Sequence, residues 1–176
     1  GFTQAFGRTT EKFAASLFAN GTNTTVTLGK KAYNIACADG KAMFAADHPR
    51  KDGGTAQSNK FKDEFSLDVL SAMETAMQNF KDDKGNILNI SPDTIIIPND
   101  YKLKKMVFEV IGADKDPATA NNGFNYQFGR WNVIVWAYLT DIKGAATGKA
   151  PFILGDSKFN KTHGGAIWID RVPLSV

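Results

Sequence analysis

Hydrophobic positions recur at helical spacing in three parts of the chain. Across residues 66–80, Leu67, Leu70, Met73, Met77 and Phe80 stand three or four apart, with Ala72 and Ala76 as small neighbours. That period predicts a helix with one buried face. Ser66 stands where an N-cap belongs, Asp68 falls in the first turn and Lys81 follows the last, an arrangement that suits the helix dipole. A second helix is predicted from Leu103, Met106, Val107, Val110 and Ile111, which share a face. Pro98-Asn99-Asp100 opens it and Gly112 stops it. A third covers residues 9–19, with Phe13 and Leu17 on one side, Phe2 and Phe6 extending the stripe upstream, and Asn20-Gly21 as the stop.

The other apolar runs are short and β-branched. Residues 87–90 and 94–97 follow the turn Lys84-Gly85-Asn86 and are predicted to be two strands. Residues 22–36, rich in Thr, Val and Tyr, favour extended structure and form a plausible hairpin before the Asp39-Gly40 turn. Residues 131–139 (WNVIVWAYL) are apolar on both alternating faces, as expected of a central strand covered from both sides. Residues 151–154 and 166–174 predict further strands. Polar, Gly-rich residues 50–60 suggest a linker or mobile loop, and 113–130 and 140–150 are loops, the first longer than a connection requires. A helix feeding apolar strands must lie against a sheet, which predicts an α+β domain with a mostly antiparallel or mixed sheet.

Composition narrows this picture. The 176 residues are 43% hydrophobic with thirteen Phe and three Trp, enough for a substantial core and too apolar for disorder. No run approaches the roughly 18 apolar residues of a membrane span. The net charge of +3 arises from interspersed Lys and Asp, which neither marks nor excludes a nucleic-acid surface. Cys37 is the single cysteine, so no internal disulfide is possible, and its neighbours Ile35, Ala36 and Ala38 predict a buried, inert thiol. The chain starts at Gly1, which suggests a segment of a longer polypeptide.

Candidate chemistry is sparse. Gly144-Ala-Ala-Thr-Gly148-Lys149 imitates a phosphate-binding loop but is one residue short and has Ala150 where a Ser or Thr should hold magnesium. Gly155-Asp156-Ser157 hints at a nucleophile elbow, yet Phe159 replaces the second Gly, so a surface turn is expected. His48 and His163 have no second His or Cys at ligand spacing, and a hydrogen-bonded loop histidine is the preferred reading over a site built with Asp39, Asp47 and Asp170. Trp131, Trp136, Trp168, Tyr126 and Tyr138 lie in or near apolar strands, which favours core packing over a stacking platform. No catalytic, cofactor-binding or metal-ligating residue is assigned.

The central unit also carries a family likeness. Residues 13–18, Asp39-Gly40-Lys41-Ala42-Met43-Phe44 with Asp47-His48-Pro49, residues 70–98, the stretch from Asp116 to Asn121, residues 131–139 and residues 164–174 resemble, in their order and spacing, the major capsid proteins of tailed bacteriophages. The likeness is greatest to Mu-type and prophage head subunits with the Hong Kong 97 fold. It implies that residues 1–60 form part of a peripheral domain, with the end of a spine helix and a β-hairpin, and that 61–176 form an axial domain. It further implies a non-enzymatic subunit that self-assembles into pentamers and hexamers of an icosahedral shell. The partners implied are copies of itself, scaffold or portal proteins and non-specifically packaged double-stranded DNA, with no membrane. Assembly in the bacterial cytoplasm and residence in the virion follow from the same likeness. The loop between Gly112 and Gln127 would point at the symmetry axes, with Asp114, Lys115, Asp116, Asn121 and Asn122 as candidate intersubunit residues. The family's N-terminal arm and extended loop should precede residue 1 and further strands should follow Val176, so this stretch alone is expected to be a monomer or small oligomer. The alternatives are an encapsulin-like shell protein and, from another class, a hydrolase or carbohydrate-binding domain.

Overall fold

A computed structural model of the chain describes residues 2–116, 123–143 and 150–163. In order they form α1 (Phe2–Ala19), β1 (Thr25–Leu28), β2 (Lys31–Asn34), α2 (Leu67–Gln78), β3 (Thr94–Pro98), α3 (Tyr101–Gly112), β4 (Asn132–Trp136), β5 (Ile153–Gly155) and α4 (Ser157–His163). The class is α+β, with an antiparallel two-stranded hairpin, β1-β2, and a mixed three-stranded sheet of order β4-β3-β5. Strand β3 runs parallel to β4 and antiparallel to β5.

Two helices start where the sequence places caps. The Ser66 hydroxyl accepts from the Val69 N–H at 3.1 Å and opens α2, and the Asp100 carboxylate accepts from the Leu103 N–H at 2.8 Å and opens α3. At the other end of α2, Asn79 folds its side-chain amide back onto the Thr75 carbonyl at 2.9 Å, which also accepts from the Asn79 backbone N–H at 3.2 Å. The periodic residues then face one core. Leu70 of α2, Leu103, Val107, Val110 and Ile111 of α3, Ile95 and Ile97 of β3, Leu154 of β5 and Phe65 are all buried in a single cluster. Ile95 and Ile97 share a sheet face because strand side chains alternate. Leu67, Met73 and Met77 pack at its margin, and Phe65 meets Phe152 edge to face at 4.9 Å.

Residues 1–60 are tied on by other contacts. Phe18 of α1 meets Trp136 edge to face at 5.7 Å, and the Trp136 indole donates to Glu11 at 3.0 Å. Helix α1 begins at Phe2, well before the predicted start at residue 9; the side chains of Phe2 and Phe6 lie outside what is described. The predicted hairpin at residues 22–36 is present as β1-β2, closed by a two-residue loop in which Gly29 takes φ 64°.

Several expectations need correction. Residues 87–90 do not form a strand: one isolated bridge joins Ile87 to Lys81, Ile87 is exposed, and Asn89 adopts φ 55°, which breaks an extended run. The Asp82 carboxylate holds this region as a turn by accepting from the N–H groups of Lys84 and Asn86. Residues 131–139 yield only the five-residue β4 at the sheet edge, with Ile134 and Val135 exposed, so the run is not a central strand covered on both sides. Nor are residues 50–60 a free linker. His48 and Gln57 exchange backbone hydrogen bonds, and the Gln57 side chain accepts from the Lys81 N–H at 2.7 Å and donates to the Lys81 carbonyl at 2.9 Å. Cys37 is exposed, because it lies at the entrance to the Asp39-Gly40 turn and not in a strand interior. Residues 155–157 run from the end of β5 into the unanticipated helix α4, whose N-cap is the buried Asp156, accepting from the N–H groups of Phe159 and Ser91. The phosphate-loop imitation at 144–149, Trp168, Asp170 and the strand predicted at 166–174 lie outside the described residues.

Candidate functional site

Helix α3 ends at Gly112, and the chain turns outward into the long loop. Its base is a narrow hairpin: the Asp116 N–H donates to the Gly123 carbonyl at 2.7 Å, the Asn125 N–H donates to the Asp114 carbonyl at 3.1 Å, and Lys115 pairs with Phe124. Asp114, Lys115 and Asp116 therefore form one leg of this hairpin, with the first two exposed. Asn121 and Asn122 lie outside the described residues.

The returning leg, Phe124-Asn125-Tyr126-Gln127-Phe128, buries its polar residues and exposes its aromatic ones. Asn125 and Gln127 are fully buried, whereas Phe124, Tyr126 and Phe128 are 82%, 50% and 49% exposed. The Asn125 amide donates to the carbonyls of Val110 and Ala113, closing the open end of α3 as a side-chain cap. Its oxygen accepts from the Gln127 N–H at 3.0 Å. The Gln127 amide donates to the Glu74 carboxylate at 2.7 Å and to Ser71 at 3.3 Å, and its oxygen accepts from the Trp131 indole at 2.8 Å.

Glu74 completes the brace. It lies on the buried side of α2, one turn beyond Leu70, and is 4% exposed. The Arg130 guanidinium pairs with its carboxylate and also reaches the Gln127 oxygen at 3.3 Å. A buried carboxylate is tolerated only when it is paired and hydrogen-bonded, and here Arg130 and Gln127 supply both. The outer leg is thus fastened to α2 through Gln127 and Arg130, and to α3 through Asn125 and a bond from the Gly129 N–H to the Ile111 carbonyl at 3.0 Å.

The second cluster lies in residues 37–60. His48 Nδ1 contacts the Asp39 carboxylate at 2.6 Å, and Nε2 contacts the Asn59 oxygen at 3.2 Å. The Asn59 amide donates to the Met43 carbonyl at 2.7 Å, so its oxygen is the side that faces His48 and the Ala45 N–H. The hydrogen bond with His48, aided by one from the Lys41 N–H, holds the Asp39 carboxyl below the ordinary carboxylate range. Lys41 pairs with Asp47 beside it. His48 is therefore a hydrogen-bonded loop histidine, as expected. His163 Nδ1 donates to the Phe159 carbonyl at 3.1 Å, and its ring stacks on the Phe159 ring. Partial desolvation, and then the Asp39 charge, push the Cys37 thiol up, which leaves it less nucleophilic than a free cysteine.

Among the described residues no group of three or more His, Cys, Asp or Glu is placed to hold a metal, and no helix is long and apolar enough to cross a membrane. An open apolar groove of about 370 Å³ runs between α1, α2 and β5, with Phe18, Phe44, Phe61, Met73, Met77 and Phe152 among its walls. Trp131 and Trp136 pack and hydrogen-bond as structural residues, in line with the reading from sequence, whereas Tyr126 does not pack in the core as expected: it is half exposed, because the buried amides of Asn125 and Gln127 on either side turn it outward.

Sequence reasoning did not single out Glu74, Asn125, Gln127 or Arg130. The strict alternation of aromatic and amide side chains at 124–128 could have pointed to Asn125 and Gln127, while no local signal marks Glu74 or Arg130. What these elements define is a protein of packing faces and braced loops. All 176 residues match the family described as phage capsid protein, and the chain belongs to that family. It is a structural protein of the virion, of a non-enzymatic kind, and its family associates with copies of itself. No curated protein and no solved structure matches the chain.

Proposed function

We propose that this chain is the core of the major head subunit of a tailed phage or prophage, with the Hong Kong 97 fold and Mu-type relatives. Residues 1–60 belong to the peripheral domain and 61–176 to the axial domain. Copies associate into pentamers and hexamers that close as an icosahedral shell around double-stranded DNA, with scaffold and portal proteins as partners and assembly in the host cytoplasm. The observation that carries the reading is the family match over the whole chain. The hairpin beyond α3 supports the further step, because it exposes Asp114 and Lys115 on a base that α2 and α3 both hold. In a cyclic ring such an exposed element meets the neighbouring copy. The test is to express the full-length protein, sediment it through a gradient and image the fast fraction by negative-stain electron microscopy. Closed shells of uniform size that protect DNA from nuclease are the expected result. A protein that stays in the slow fraction with or without scaffold contradicts the proposal, and closed shells filled with protein cargo in place of DNA favour an encapsulin-like container.

A further inference from the structure

Phe124, Tyr126 and Phe128 point to solvent while the amides between them are fully buried, the reverse of what transfer free energies favour. The reversal is held in place and not incidental. Asn125 is committed to the end of α3, and Gln127 to Glu74, Ser71 and Trp131. Gly129, at φ 68°, brings its N–H to Ile111, and Arg130 is held by Glu74 while its guanidinium lies 6.0 Å from the Tyr126 ring. A row of aromatic side chains on so fixed a backbone loses little conformational freedom when it is covered, which favours recognition.

Area decides what can cover it. At about 200 Å² for each aromatic side chain, the exposed fractions amount to roughly 350 Å². That is about the size of the largest apolar patch a soluble monomer leaves bare, and less than half of the roughly 800 Å² per partner that a stable pair buries. We propose that the row Phe124, Tyr126 and Phe128 is a contact with a second copy of this chain, too small to hold an isolated dimer and effective only when repeated around a closed ring. The proposal rests on the shell-subunit reading above. In a ring every copy gives one such face and receives another, so the last subunit to enter gains two contacts at once and association is cooperative.

The test uses the full-length protein carrying Cys37→Ser, with any cysteine outside these 176 residues likewise replaced by Ser, and Phe124→Cys. Maleimide labelling is timed on dissociated subunits and on assembled particles. The expected result is labelling at least about tenfold slower in particles, with free subunits monomeric at micromolar concentration. Equal rates in the two states overturn the contact while leaving the shell reading intact. Complete failure of the unsubstituted protein to form particles overturns the shell reading and the contact together. A second variant, Phe124→Ser/Tyr126→Ser/Phe128→Ser, replaces exposed side chains only. It is expected to keep the parent's circular dichroism spectrum and to need at least tenfold more protein to assemble; assembly at the parent's concentration overturns the proposal.

Discussion

Replacing Gln127 by Leu tests the brace beneath the aromatic row. The side chain is fully buried, donates to Glu74 at 2.7 Å and to Ser71 at 3.3 Å, and accepts from Trp131 at 2.8 Å. Leu fills nearly the same volume, so little cavity forms and the cost is mainly polar. Losing a hydrogen bond to a charged carboxylate costs about 1.5–3 kcal/mol, and the Trp131 N–H, only partly buried, adds about 1 kcal/mol. The apolar gain of Leu offsets about 1 kcal/mol, leaving a net loss of about 1.5–3 kcal/mol. For a chain of this size that lowers Tm by about 3–12 °C. The double variant Glu74→Leu/Gln127→Leu removes the buried charge together with its partner, and Arg130, whose side chain is 43% exposed, can turn to water. Replacing a whole buried ionic cluster by apolar residues is often neutral, so the double variant is expected to be no less stable than Gln127→Leu alone. Thermal denaturation of Gln127→Leu, Glu74→Leu and the double variant, followed by circular dichroism, gives all three values. A single-variant loss below about 0.5 kcal/mol, or a double-variant loss equal to the sum of the singles, would refute the reasoning.

Other consequences follow from the same structure. Leu70→Ala empties the centre of the α2–α3–β3 core and should cost about 2–5 kcal/mol in chemical denaturation, because the rigid strand face at Ile95 and Ile97 cannot collapse into the space. Asp100→Ala removes the cap of α3 and should cost about 1 kcal/mol, whereas Asp100→Ser should retain most of it. The Asp39 carboxyl is held below its ordinary value of 3.8, so its contribution is present above that pH and is lost as pH falls through the lower folded value. Amide exchange at His48, Gln57 and Asn59 should therefore accelerate below about pH 4 relative to α3 amides. Asp39→Asn should abolish that acid step, and a step that persists unchanged would assign it to another carboxylate.

The helices and their caps were legible because their signals are local. Ser66, Asp100 and the apolar spacing of α2 and α3 each act within a few residues, and the structure places them as expected. What escaped depends on contacts distant in sequence. Residues 87–90 are a short apolar run like β3, but the Asp82 turn and the left-handed Asn89 deny them a partner strand. The Gly-rich stretch 50–60 looks free until Gln57 meets Lys81 twenty-four residues away. Glu74 looks like a solvated helix residue, and only Arg130 and Gln127, over fifty residues on, make its burial possible. The apolar run at 131–139 correctly announces a strand, yet its exposed Ile134 and Val135 show that double-sided hydrophobicity need not mean a central position.

The most direct measurement is a cryo-electron microscopy map of particles assembled from the full-length protein, at a resolution that shows side chains. Closed shells in which the hairpin beyond α3 lies at the symmetry axes, with Phe124, Tyr126 and Phe128 covered by the adjacent copy, are the predicted result. Shells in which that hairpin faces solvent away from every neighbour would contradict the proposed contact, and an absence of closed particles would contradict the proposed function itself.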